Sequence, residues 1–447
     1  MYKARAFLAA AILVVACGGV CSAEDAVMPK IQPYGTGQLP FDVDLDMIMS
    51  LASASGQKVA KGTTADPNQD ASEGHIHFNL QFSRRFGDPS NPHDDSVIGK
   101  MWLVVGAGGG LDQSIVNPGP PATTGRVVNT WFGIDKNNFL GGTIGNYAGH
   151  NPNLALVEGH FTLKWNIPDW GTRAQVRFGL FDPTFFGFDT NRYANDAKTQ
   201  FAAPALVNNP IVEYNSVSQI LNDSYGAAAW FRFGDVDKFG GTTAEERYGL
   251  GLLFQDGTQV VTAGSPTADL QDVVDDPLIM AQFDWRWKPF NDLVGIVRIF
   301  TFYNSRTNSA SAPVNNTGVW GGGISIDQDL SDSAHAFFRW GTADEKRSDV
   351  AQHFSGGFQF DNPLESWTGK YQKFGIGAAY EVFSDIRQKA LNNELQMEAY
   401  YWVHIKAFNE NFWKADLSFT PSLQFIHQAD GTDGDVMVYS LRSYLKF

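Results

Sequence analysis

An all-β fold, closed as a transmembrane antiparallel barrel, is what this 447-residue sequence predicts, on three observations. From Phe41 to Phe447, segments of about ten residues alternate apolar and polar side chains with the period of two that an extended strand imposes. No run approaches the roughly 20 consecutive apolar residues that a membrane-crossing helix requires. The chain is rich in aromatics (13%) and glycine (45 residues), and it has two cysteines, both near the amino terminus. A soluble β-sandwich alternates too, with its apolar face inward. Segment length favours the barrel, because soluble strands average about five or six residues and a tilted bilayer crossing takes about nine to eleven.

At the amino terminus, Lys3 and Arg5 precede an apolar run from Ala6 to Val15, and small residues lead to Cys21-Ser22-Ala23. Residues 1–23 are therefore read as a secretory signal peptide cut after Ala23, with lipidation at Cys17 as the rival processing. Either cut leaves no disulfide framework. Residues 24–40 are aperiodic, with Pro and Gly, and are read as a periplasmic leader.

The strands follow in order. Phe41–Leu51 sets Phe41, Val43, Leu45 and Met47 against Asp42, Asp44 and Asp46; three carboxylates on one face suit calcium, but a water-lined wall is preferred. His75–Phe86 opposes Ile76, Phe78, Leu80 and Phe82 to His75, His77, Asn79 and Gln81. Its histidine pair lacks a third metal ligand, so a wetted wall is again preferred. Lys100–Gly110 ends in a glycine run without the Gly-Lys-Ser/Thr and helix of a phosphate loop, which leaves the glycines to a curved sheet. Leu154–Asn166 and Arg173–Phe181 repeat the alternation. Asp182–Asp223 breaks it. A loop that long is usually functional, and in a barrel it is the segment expected to fold inward and narrow the lumen; within it, Arg192–Phe201 is expected to form a short helix.

Ten further strands are separated by Gly, Asn, Asp and Pro clusters: Ala227–Phe233, Tyr248–Phe254, Leu278–Lys288, Leu293–Tyr303, Gly321–Gln328, His335–Trp340, Phe354–Phe360, Lys373–Glu381, Glu394–Lys406 and Asp416–Gln428. In Leu278–Lys288 the tryptophans Trp285 and Trp287 fit an interfacial girdle. Met437–Phe447 reads as the closing strand, with Met437, Tyr439, Leu441, Leu445 and Phe447 opposed to Ser440, Arg442, Tyr444 and Lys446. Its terminal Phe447 is expected to carry the signal read by the barrel-assembly machinery. A single-chain bacterial barrel closes on an even number of strands. Sixteen is the preferred count and eighteen the alternative. No linker or charge block divides residues 41–447, so they form one domain.

A formal net charge of −15 argues against nucleic acid as a partner. The nine histidines pair with no Ser or Asp motif of a nucleophile–base kind, so no enzyme is expected, and no cofactor or metal.

Several short stretches, in order, resemble the carbohydrate-selective outer-membrane porins, the OprB-like family. They are Arg177–Pro183, Thr199-Gln200-Phe201, Asn208-Asn209-Pro210, Gly323–Gln328, Phe337–Gly341, Glu394–Tyr401 and Thr420–Phe425. The resemblance spans roughly Leu154–Phe447, and it weakens at His427–Gly431, where the family often has Asn-Pro-Gly-Gly. It implies a passive diffusion channel for small sugars in a Gram-negative outer membrane, among lipid and lipopolysaccharide, as a monomer or a homo-oligomer. A general pore for small hydrophilic solutes and a polysaccharide exporter are the alternatives.

The resemblance also implies arginines and carboxylates near a constriction, at Arg177, Arg339, Glu394 and Glu398. The polar strand faces add Arg173, Arg232, Asp284, Arg286 and Arg298. Tyr400 and Trp402 offer aromatic faces to a pyranose ring. These side chains either contact the solute or merely balance charge within the wall.

Overall fold

The computed structural model describes residues 42–55, 71–86, 96–108, 153–167, 172–212, 224–234, 247–257, 277–290, 293–305, 318–348, 350–364, 371–384, 393–405, 416–427 and 435–446. The segments assigned to signal peptide and leader, and Phe447, lie outside them.

Each alternating segment overlaps an observed strand. In order these are β1 (Asp42–Ser55), β2 (Ala71–Phe86), β3 (Ser96–Gly108), β4 (Asn153–Ile167), β5 (Thr172–Phe181), β6 (Ser224–Phe233), β7 (Tyr248–Asp256) and β8 (Pro277–Phe290). The second half runs β9 (Leu293–Asn304), β10 (Val319–Asp329), β11 (Ala334–Ala343), β12 (Val350–Asp361), β13 (Gln372–Phe383), β14 (Glu394–Ile405), β15 (Asp416–His427) and β16 (Val436–Lys446). Every strand pairs antiparallel with its sequence neighbour, and β1 pairs with β16, from Asp46 opposite Lys446 to Ser55 opposite Met437. Closure removes every sheet edge, and sixteen strands are enough to enclose a water-filled lumen.

An even count puts the start of β1 and the end of β16 at one rim, here called the terminal rim. The joins there include the two-residue step 291–292 and the tight turn 330–333. In that turn the Ser331 hydroxyl accepts from the Ser333 and Ala334 amides. The longest connections, 109–152 and 182–223, leave the opposite rim.

Burial runs inside out. The outer face presents Trp320 (63% exposed), Tyr439 (54%), Ile299 (53%) and Phe161 (50%), among many other large apolar side chains. The inner face buries Gln282, Gln396, Gln424, Arg339 and Arg442. A belt of this size around a monomer in water would be an aggregation surface; against acyl chains it is matched. The alternation that left sandwich and barrel undecided is thereby resolved in favour of the barrel.

One local expectation fails. Arg192–Phe201 is not helical; it is a run of turns. The Asp196 carboxylate accepts from Lys198 N and the Thr199 hydroxyl, and Gln200 Oε1 accepts from the amides of Asn195 and Asp196. These local bonds compete with a helical ladder. The one described α-helix is a single turn, α1 (Pro204–Val207), with 3-10 turns at Pro183–Phe186 and Pro210–Val212.

Candidate functional site

Residues 182–212 leave the end of β5 and fold into the lumen, where most of their side chains are fully buried. A buried loop without regular structure has no ladder for its amides and carbonyls, so side chains must satisfy them. The polar inner wall does this.

At the entrance, Asp182 caps the first 3-10 turn by accepting from Thr184 N at 2.7 Å, and Gly187, at φ 116°, closes it. Gln282 of β8 reads both sides of the next step: its Oε1 accepts from Asp189 N at 2.8 Å and its Nε2 donates to the Gly187 carbonyl at 3.0 Å. Asp189 sits at φ 50°, a conformation that Asp tolerates better than most residues, and its carboxylate accepts from Asn209 N at 2.5 Å. Outgoing and returning legs are thus tied at their base.

Further along, Asn191 donates to Ser325 of β10, and Arg192 Nε meets Asp327 Oδ1 at 2.5 Å. Burial opposes the Arg192 charge, but Asp327 beside it outweighs this and raises its pKa. The Tyr193 ring stacks on His335 of β11, 4.4 Å between centroids, and its hydroxyl donates to Asp329; burial pushes that hydroxyl's pKa up, so it stays a donor. Glu398 of β14 accepts from Ala202 N at 3.0 and 2.9 Å and from Ala203 N at 2.8 Å. Arg442 of β16 donates to the carbonyls of Ala197 and Gln200 and lies 3.6 Å from Glu398. Arg339 of β11 donates to the carbonyls of Leu206, Asp189 and Ala194.

Apolar contacts complete the seat. Phe188 lies against Trp230 (5.0 Å between centroids) and Phe201 against Tyr400 and Phe337 (4.8 and 5.4 Å). Fully burying a phenylalanine contributes roughly 1.5–3 kcal/mol. Inward-facing glycines leave the room: a Cβ on Gly341 would lie 2.4 Å from Ile211 Cδ1 and 2.6 Å from Asn209 Nδ2. Gly341→Val is therefore expected to unseat the returning leg and open Arg192 and Lys198 to trypsin in the folded barrel. Limited proteolysis that finds both bonds as resistant as in the wild type would refute this fit.

The residues named from sequence divide into two groups. Arg339, Glu398 and Tyr400 are fully buried against the loop and do not meet the open lumen, which corrects the solute-contacting role expected of them. Arg298 (5% exposed) binds Asp327 at 2.5 Å and so backs the carboxylate that holds Arg192, and Glu394 is buried opposite Glu381 of β13. Arg339 and Glu398 are taken by loop carbonyls and amides that need a partner, whereas Arg298 is taken by the Asp327 carboxylate and the Tyr400 hydroxyl by Gln359 Oε1. Arg173, Arg177, Arg232, Asp284 and Arg286 stay half-buried on the inner wall, and Trp402 stacks on His404 beside Lys373. Sequence reading assigned no site role to Asp189, Gln282, Asp327 or Arg442. Arg442 was legible as inward from the period of β16; nothing local marks the other three as loop ligands.

Asp46 bonds Asn79 and lies 3.3 Å from the Lys198 ammonium and 3.4 Å from the Tyr444 hydroxyl, so the acidic face of β1 serves the wall and the loop tip. Among the described residues no cluster of His, Cys, Asp and Glu is arranged to hold a metal ion. The side chains of His75 and His77 lie outside the described residues.

In sequence, no family model and no curated protein matches this chain. In structure it is similar to Pseudomonas putida OprB at high pH, with a TM-score of 0.63 and 13% identity over 91% of this chain and 94% of that one. The low-pH form gives 0.46 at 12% identity, covering 91% and 92%. The outer membrane channel DcaP of Acinetobacter baumannii gives 0.44 at 11%, covering 91% and 97%. The fold is that of a sixteen-stranded porin barrel. At 13% identity the likeness speaks for the fold and not for the solute.

Proposed function

We propose that this chain is an outer-membrane porin of a Gram-negative bacterium that lets small hydrophilic solutes, sugars in particular, diffuse passively. The observation that carries the proposal is an inside-out barrel whose polar lumen is narrowed by its own inward loop. A protein acting as a scaffold has no need of a buried loop seated by named wall residues. Catalysis is not part of this reading.

The sugar preference rests on what is left facing the passage. A sugar must exchange water hydrogen bonds for protein ones while its apolar ring face meets an aromatic one. Phe185 of the loop, 45% exposed, offers its own ring, 5.9 Å from the buried indole of Trp102 of β3, beside which lie the Lys100 and Lys198 ammoniums. Trp402 with Lys373 repeats the pairing of ring and cation. In planar bilayers, glucose or maltose is expected to reduce the ion current more than an uncharged polymer of similar size. Equal insensitivity to all three would leave a general porin, and no conductance would remove the channel altogether.

A further inference from the structure

Barrel closure joins two strands that the chain itself holds far apart. Every other pair of neighbouring strands is linked by the segment between them, whereas β1 and β16 meet across nearly the whole chain. The Tyr444 hydroxyl lies 3.4 Å from Asp46 Oδ2, yet the two residues are 398 positions apart. Bringing such distant segments together costs chain entropy before any ladder bond forms.

The tip of the inward loop lies on that seam. The Ala197 and Gln200 carbonyls accept from Arg442 of β16, the second at 2.9 Å, and the Lys198 carbonyl accepts from Thr420 of β15 at 3.4 Å. The Lys198 ammonium reaches the other side of the seam. It lies 3.3 Å from Asp46 of β1 and 5.0 Å from the centroid of the Tyr444 ring on β16. Asp46 also accepts from Asn79 of β2, so the tie extends to both sides of closure. In register, Asp46 faces Lys446 and Ser50 faces Arg442, which places the tip at the terminal-rim end of the seam; from there the ladder runs on to Ser55 opposite Met437.

The tip is shaped by its own bonds. The Asp196 carbonyl accepts from the amides of Thr199 and Gln200 at 3.2 and 2.7 Å, and the Asp196 carboxylate accepts from Lys198 N and the Thr199 hydroxyl. These bonds span no more than four positions, so docking on the wall leaves little to order. In sequence the tip stands between the two terminal strands: Lys198 is 152 positions from Asp46, and Ala197 is 245 from Arg442. Holding both strands, it divides one long closure into two shorter ones.

We propose that the loop tip is a closure staple: besides narrowing the lumen, it gathers β1 and β16 and holds their seam shut. The Lys198 and Asp46 side chains are 23% and 8% exposed, so salt screens their pairing less than it would at an open surface. The proposal rests on the barrel and its inward loop, and it holds whatever solute passes.

The test is amide hydrogen exchange of the full-length barrel in detergent micelles, read separately for peptides from β1, β16 and β10. Lys198→Met keeps the stem and removes the ammonium. It is expected to speed exchange in β1 and β16 about tenfold, the size of a half-buried ion pair with a ring contact, and to leave β10 unchanged. Asp46→Asn is expected to do the same, and the double variant to go no further than either single one, because one tie is cut in all three. Lys198→Arg retains the charge and is expected to keep wild-type exchange. Arg192→Met, which frees the loop from Asp327 of β10, is expected to spare β1 and β16. Heat-modifiable mobility reports that each variant is folded. Wild-type seam exchange in Lys198→Met, a rise shared equally by β10, or seam exchange raised as much by Lys198→Arg or Arg192→Met overturns the staple.

Discussion

Glu398→Ala is expected to release the inward loop and raise the open-channel conductance. The carboxylate accepts two backbone amides, Ala202 and Ala203, at 2.8–3.0 Å and lies 3.6 Å from Arg442. All of these groups are buried. Truncation leaves two amides without an acceptor and a guanidinium without its acid, and breaking such a buried pair costs roughly 3–5 kcal/mol. At about 1.4 kcal/mol per tenfold, the ratio of seated to unseated loop falls by roughly a hundred- to several-thousand-fold. Arg339→Ala should act in the same direction, since it withdraws the donors to Leu206, Asp189 and Ala194. The two are expected to be non-additive, because one loop is held by both. Single-channel recording checks this, and wild-type conductance in both variants would show that the loop is held by something else.

The second large effect lies on the outside. Ile299→Arg, half-way along β9 and 53% exposed, is expected to impair insertion into lipid by about 2–4 kcal/mol. Its cross-strand neighbours, Phe283 and Ile324, belong to the same apolar belt. Tyr303→Arg, near the end of the same strand and 43% exposed, should cost only about 0–1 kcal/mol, as expected near an interface. On a soluble surface both changes would fall within about 0.5 kcal/mol. Folding titrations into vesicles distinguish the cases, and equal small costs would contradict a lipid-facing belt.

The strands were legible because their cause is local. Ile279, Phe283 and Trp285 against Gln282, Asp284 and Arg286 fix the two faces of β8 within a few residues. Strand ends were read short, as in β12, where pairing of Val350 with Phe383 extends the strand past the clear alternation from Phe354. The helix expected over Arg192–Phe201 had the right composition. It lost to Asp196 and Gln200 bonding their own turn and to Arg192 and Tyr193 reaching Asp327 and Asp329.

What the sequence determined by itself is the period: which side chains share a face, and that one long segment between β5 and β6 has no strand of its own; closure on sixteen strands rather than eighteen came from the structure. Only the tertiary structure decided which inward polar residues hold that segment. Arg339 and Arg232 look alike on their strands, yet Arg339 donates to a carbonyl 145 residues away while Arg232 stays half-buried on the wall over the Trp230 ring. The reason is that alternation is set by neighbours along the chain, whereas a side chain's hydrogen-bond partner is set by closure of the barrel. Closure brings β11, β14 and β16 around the same loop, and that loop must find a partner for every amide and carbonyl it buries.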